Sequence, residues 1–116
     1  MKLKGNWKKV GHFGVDAGIC WIGDPCYVFF QEKMPETLGN NWHEFCKKIN
    51  TKGPTLKSFN YALGHEGLGI CISTGMGDGT YPVYALITDE GTWGHRVSAV
   101  FIDFMDIMNE DGVEVE

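Results

Sequence analysis

The sequence predicts an α+β fold: mainly an antiparallel β meander or small barrel-like sheet, with one amphipathic helix. Three observations point there. Most apolar runs alternate with polar residues or glycine at a period of two. Seven Phe, four Trp and four Tyr are a large aromatic share for 116 residues, and such side chains suit half-buried strand surfaces. The breaks between the runs are short and Gly-rich, as hairpin connections are.

The opening segment Lys2 to Val10 reads as an irregular first strand. Val15, Ala17, Ile19 and Trp21 then alternate with Asp16, Gly18, Cys20 and Ile22, so a continuous strand is expected there. Gly23-Asp24-Pro25 stops it, because Asp forms an Asx-turn and Pro removes a donor, and Cys26 to Gln31 resumes as a short apolar strand. Glu32 to Gly39 is polar, contains Pro35 and reads as a loop.

Asn41 offers a cap with Glu44 three residues on, and Trp42, Phe45, Cys46 and Ile49 fall at i, i+3, i+4 and i+7. This spacing predicts a helix over Asn41 to Asn50 whose Trp42, Phe45 and Ile49 pack on the sheet. Thr51-Lys52-Gly53-Pro54 ends it. Beyond it, strands are expected over Leu56 to Leu63, Gly69 to Thr74, Thr80 to Thr88 and Trp93 to Phe104. Hairpin-type breaks fall at Gly64 to Gly67, Gly75 to Gly79 and Asp89 to Gly91. The length fits one domain over 1–108 followed by an acidic tail, 109–116. No internal repeat suggests a solenoid or propeller.

The formal net charge is −5, so no basic field draws a phosphate backbone and a nucleic-acid polymer is not an expected partner. The basic N-terminus is not followed by an apolar h-region, and no apolar stretch reaches the length that spans a bilayer; the reading is cytoplasmic, with no membrane partner. Cys20, Cys26, Cys46 and Cys71 form no C-x-x-C pair and are expected to be free thiols.

Two segments are distinctive: Asp16-Ala-Gly-Ile-Cys-Trp-Ile-Gly-Asp-Pro-Cys-Tyr-Val28 and Ser73-Thr-Gly-Met-Gly-Asp-Gly-Thr-Tyr-Pro-Val-Tyr84. Together they resemble an uncharacterised family of small phage and bacterial proteins, in which a Gly-Asp-Pro-Cys-Tyr element precedes a Gly-Asp-Gly-x-Tyr-Pro-Val-Tyr element. The resemblance implies that Asp24, Tyr27, Asp78 and Tyr81 occupy signature positions. It implies no activity.

Gly75 to Gly79 satisfies neither phosphate-loop spacing and leads into a strand rather than a helix, so its glycines read first as turn residues. Asp24 and Asp78 lie in Gly-flanked turns and are each read first as local Asx-turns. If they converge, they give paired carboxylates for acid–base work, Mg²⁺, or the hydroxyls and amines of a nucleotide-like ligand. Cys26 with His65 or His95 is a weaker nucleophile–base pairing. His43 and Cys46 with His12, His65 or His95 match no zinc spacing, so no metal and no cofactor is expected. Of Trp42, Trp93, Tyr81 and Tyr84, alternation places most in the core, while Tyr81 and Trp93, each beside a turn, are expected to be partly open for stacking.

The expected site is therefore a pocket shared by Asp24 and Asp78, lined by Tyr27, Tyr81 and Trp93, with His95 or Arg96 as counter-charges. With no recognisable catalytic constellation, binding is favoured over catalysis. The leading reading is a small-ligand binding module, in phage terms one that sequesters a nucleotide-like immune signal, and a homodimer would supply further pocket walls. The alternatives are a small hydrolase of a nucleotide or phosphodiester using Asp24 and Asp78, and a structural or protein-interaction domain.

Overall fold

The computed structural model describes residues 3–26, 36–39, 41–50, 52–61 and 64–108. Strands β1 (Trp7–Val15) and β2 (Ile19–Gly23) come first, then helix α1 (Trp42–Ile49). They are followed by β3 (Leu56–Phe59), β4 (Gly69–Ser73), β5 (Gly79–Asp89) and β6 (His95–Ile102), so the α+β class holds. The expected strand from Cys26 to Gln31, apart from Cys26 itself, and the tail from 109 lie outside the described residues. Within the expected loop before α1, Glu36–Leu38 forms a 3₁₀ turn.

The strands divide between two antiparallel three-stranded sheets, ordered β1-β5-β6 and β2-β4-β3. Each belongs to its own compact unit: residues 1–17 with 75–116, and residues 18–74. Sequence neighbours β3 and β4 pair, joined through 60–68, and β5 and β6 pair, joined through the shorter 90–94, as the Gly-rich breaks predict. Gly75 to Gly79 is different. It was expected to be a hairpin, but β4 is central in one sheet and β5 in the other, so both edges of each strand are already taken and the two do not pair.

The continuous strand expected through Val15 and Trp21 is likewise broken. Residues 16–18 form a bend, and β1 and β2 enter different sheets. The Gly18 carbonyl accepts the Thr74 N–H at 3.0 Å, closing the second unit where its chain enters and leaves.

In that unit α1 forms where the capping signal places it. The Asn41 side chain accepts the Glu44 N–H at 2.9 Å, and Lys47 and Lys48 fall in the last turn, where cations suit the helix dipole. Phe45 and Ile49 are buried with Leu38, Phe59, Leu68 and Cys71, and Ile19, Trp21 and Tyr61 pack against this cluster. Trp42 departs from expectation: it is 55% exposed, lying on the helix flank with its ring stacked on Phe45 at 5.7 Å. Trp21 is held close to the sheet. A Cβ on Gly69, which pairs with Gly23 across β2 and β4, would come 2.0 Å from its ring, so only glycine leaves the indole its seat.

All four cysteines are free thiols: Cys26 is exposed, Cys20 and Cys46 are half-buried, and Cys71 is buried. Burial pushes the Cys71 thiol above its usual value, and the charges of Cys20 and Cys46 add to that. Cys20 is raised by burial. A thiol reagent at neutral pH is therefore expected to modify Cys26 first and Cys71 only on unfolding, with four adducts under denaturing, non-reducing conditions. Intact-mass time courses check this; fewer than four adducts would reveal a disulfide or a retained metal.

Candidate functional site

In the first unit, β5 is flanked by β1 and β6, and the register sets Phe13 opposite Tyr81 and Val15 opposite Gly79. Tyr81 is 8% exposed, which corrects the expectation of a partly open ring. Its hydroxyl turns back to donate to the Gly77 carbonyl at 2.5 Å, and its ring meets Phe104 edge-on at 5.3 Å and Phe13 at 6.2 Å. The Gly-rich loop is thus tied to the ring that follows it. Gly75 adopts a φ of +55°, and a Cβ there would come 2.6 Å from the Phe104 carbonyl oxygen, so the loop passes against the segment after β6.

That segment is built on Asp103. Its N–H extends the sheet by donating to the Pro82 carbonyl at 3.2 Å. Its buried carboxylate then accepts backbone N–H groups from the turn ahead: Oδ1 from Ile107 at 2.9 Å and Met105 at 3.3 Å, Oδ2 from Met108 at 2.9 Å. Burial alone would raise this carboxyl. The bonds from Met108, Ile107, Met105 and Asp106 outweigh it and hold the group below its ordinary value.

Between loop and turn lies a concavity of about 370 Å³, lined by Met76, Thr80, Tyr81, Pro82, Phe104 and Met105 together with Asp103 and Asp106. Met76 is 84% and Met105 55% exposed. Tyr81 was expected at a site. Its neighbours Met76, Asp103, Phe104, Met105 and Asp106 were not, although an acid directly after an apolar strand was a legible sign of a side-chain cap for the next turn.

The other expected residues do not join it. Asp78 is exposed on the loop, without a side-chain hydrogen bond among the described residues. Trp93, in the turn after β5, and His95 and Arg96, which open β6, are exposed at the far end of β5, and the Arg96 Nε donates to the Trp93 carbonyl at 2.7 Å. Eleven strand residues separate that turn from Asp78, on the order of 30 Å at the usual rise. His95 and Arg96 are therefore not counter-charges for Asp78, and Trp93 does not line a pocket beside it.

Asp24 belongs to the second unit. It is exposed, and its Oδ1 accepts the Cys26 N–H at 2.9 Å, the local Asx-turn that its sequence context suggests. Tyr27 lies outside the described residues. His43 and Cys46 line a separate shallow groove with Lys47, Asn50 and Thr55. Among the described residues no three His, Cys, Asp or Glu side chains are grouped to hold a metal, and no helix is long and apolar enough to cross a membrane.

The fold and concavity define a two-sheet α+β chain with an aromatic, acid-rimmed recess beside a glycine loop. Compared with family models, curated proteins and solved structures, the chain matches none.

Proposed function

We propose that the chain is a non-catalytic binding module for a small, planar, donor-rich ligand of the nucleobase or nucleoside class, taken up against Tyr81 and Phe104. The observation that carries this is the recess itself, which an edge-on aromatic pair lines together with two exposed methionines and two aspartates. Its size suits one small molecule, and its mix of apolar walls with few polar groups is typical of ligand pockets. Methionine side chains adapt to flat apolar surfaces and contact ring edges favourably.

Electrostatics narrows the class. Asp106 lies in the recess and Asp78 is exposed on the adjoining loop, so amine and amide N–H groups are favoured there and phosphates disfavoured. Binding is preferred to hydrolysis because Asp103, the buried acid of the recess, spends both oxygens on backbone N–H groups. The phage and immune-signal parts of the expectation rest on the resemblance alone.

The test is titration with adenosine, guanosine, cytidine and thymidine, following the methyl signals of ¹³C-labelled methionine. The expected result is saturable movement of Met76 and Met105, weaker with the matching monophosphates, and recovery of intact nucleoside after denaturation. No movement at either methionine with any of the four overturns the reading, and recovered product in place of nucleoside makes the chain an enzyme.

A further inference from the structure

We infer that Asp106 is the specificity-determining residue of the recess and that the base it selects is guanine. The inference rests on the binding reading above and narrows its ligand to one base. Asp103 and Asp106 both line the recess, and they are not equivalent. Asp103 is buried and commits both oxygens to main-chain N–H groups. Asp106 is exposed, and among the described residues its carboxylate has no hydrogen bond, so both of its oxygens are open to a ligand.

The turn restrains the backbone that carries this carboxylate. The N–H groups of its two neighbours, Met105 and Ile107, both donate to Asp103 Oδ1, at 3.3 and 2.9 Å. Asp106 itself has a φ of +54°, and among the described residues every other positive φ belongs to glycine. Aspartate and asparagine adopt that conformation more readily than other side chains. The backbone therefore accounts for a short polar residue at 106 but does not ask for a charged one. A restrained acceptor in the recess that Tyr81 and Phe104 also line has little left to order on binding.

The chemistry of that acceptor picks the base. An ionised carboxylate offers two acceptor oxygens and no donor. Guanine presents two adjacent donors, N1–H and the 2-amino group, and can meet both oxygens at once in a fork of charge-assisted bonds. Adenine and cytosine each present one amino group next to a ring-nitrogen acceptor, and thymine presents N3–H between two carbonyls. Each of these gives the carboxylate one bond and turns a lone pair toward its second oxygen, which is a repulsive contact. The same recess that admits any flat base therefore holds guanine best.

The experiment titrates the whole chain with guanosine, inosine and adenosine, following the methionine methyl signals, and repeats the titrations on Asp106→Asn. Inosine is guanosine without the 2-amino group, so it keeps N1–H and loses the second bond. The native chain is expected to bind guanosine about tenfold or more tighter than inosine or adenosine, the discrimination usual for a bidentate contact. Asp106→Asn suits the same backbone conformation and still accepts from N1–H, but its amide N–H groups meet the 2-amino group, so the preference for guanosine over inosine should disappear. Near-UV circular dichroism confirms the fold of the variant; if it does not fold, the native ratios decide alone. Nucleosides that bind with guanosine no tighter than inosine overturn this inference and leave the binding reading standing. A folded Asp106→Asn that keeps the native preference also overturns it, because residue 106 then serves the turn alone. Methionine signals that move with none of the three overturn both.

Discussion

Phe45→Ala is expected to lower the unfolding free energy by roughly 3–5 kcal/mol, the range for removing a buried aromatic side chain and leaving a cavity. The expectation is at the upper end because of what Phe45 joins. Its ring stacks on Phe59 at 5.5 Å and on Trp42 at 5.7 Å, and meets Trp21 nearly edge-on at 6.4 Å. It is 6% exposed and shares its cluster with Leu38, Ile49, Leu68 and Cys71. One substitution therefore removes ring contacts from α1 to β2 and β3 together, leaving Ile49 to hold the helix. Trp42→Ala is the internal control: more than half of its surface is exposed, so its cost should be well below that of Phe45→Ala. Urea unfolding of the two variants checks both. A loss below about 1 kcal/mol for Phe45→Ala would mean that α1 does not pack where it is placed.

The helix was legible because two independent local signals agreed. The cap at Asn41 fixed where it begins, and the spacing of Phe45 and Ile49 fixed its buried face. Trp42 satisfied the same spacing but lies in the first turn, at the margin of the apolar stripe, and period alone does not say how far the covering core extends. The strands were legible as strands for the same local reason. Their division into two sheets was not, because alternation reports which face of a strand is covered and says nothing about which strand lies beside it. Asp16 and Gly18 occupy outward positions of a regular alternation, so the bend that separates β1 from β2 leaves no mark in the pattern.

The site was partly legible. Tyr81 and the glycine loop stood out because turn residues and aromatics are concentrated there, and they do adjoin a recess. Trp93, His95 and Arg96 lie away from Asp78 because an eleven-residue strand carries the chain to the other end of the sheet, and the chemistry of a turn residue does not say at which end of the sheet its turn lies. The Asp103 cap was legible only in kind: an acid directly after an apolar strand signals a side-chain cap, while its partners are main-chain N–H groups, which carry no residue signature of their own.

Asp103 gives the second large effect. Asp103→Ala would leave three N–H groups of the turn without their acceptor, and with Met108 only 2% exposed water cannot replace them all. The expected cost is about 3 kcal/mol, since an unpaired buried donor costs roughly 1–3 kcal/mol and the more exposed Met105 and Ile107 regain part of it from water. Asp103→Asn keeps the shape and one acceptor, but its amide nitrogen or its lost charge fails one oxygen's worth of bonds; about 1.5–3 kcal/mol is expected, the worth of a hydrogen bond to a charged group. The pH dependence separates the charge from the shape. Because the folded carboxyl titrates below its ordinary value of 3.8, its contribution is fully present above that value and is lost as pH falls through the folded one. Native protein should therefore lose stability relative to Asp103→Asn as pH drops below about 4, and the gap between the two should be constant from pH 5 to 7. Denaturant midpoints across that range measure it. A gap that does not narrow in acid would show that the carboxylate is not the charge holding the turn. Because the same turn carries Phe104 and Met105, both variants should also shift the Met105 methyl signal of the unliganded chain, which ties the stability of the cap to the shape of the recess.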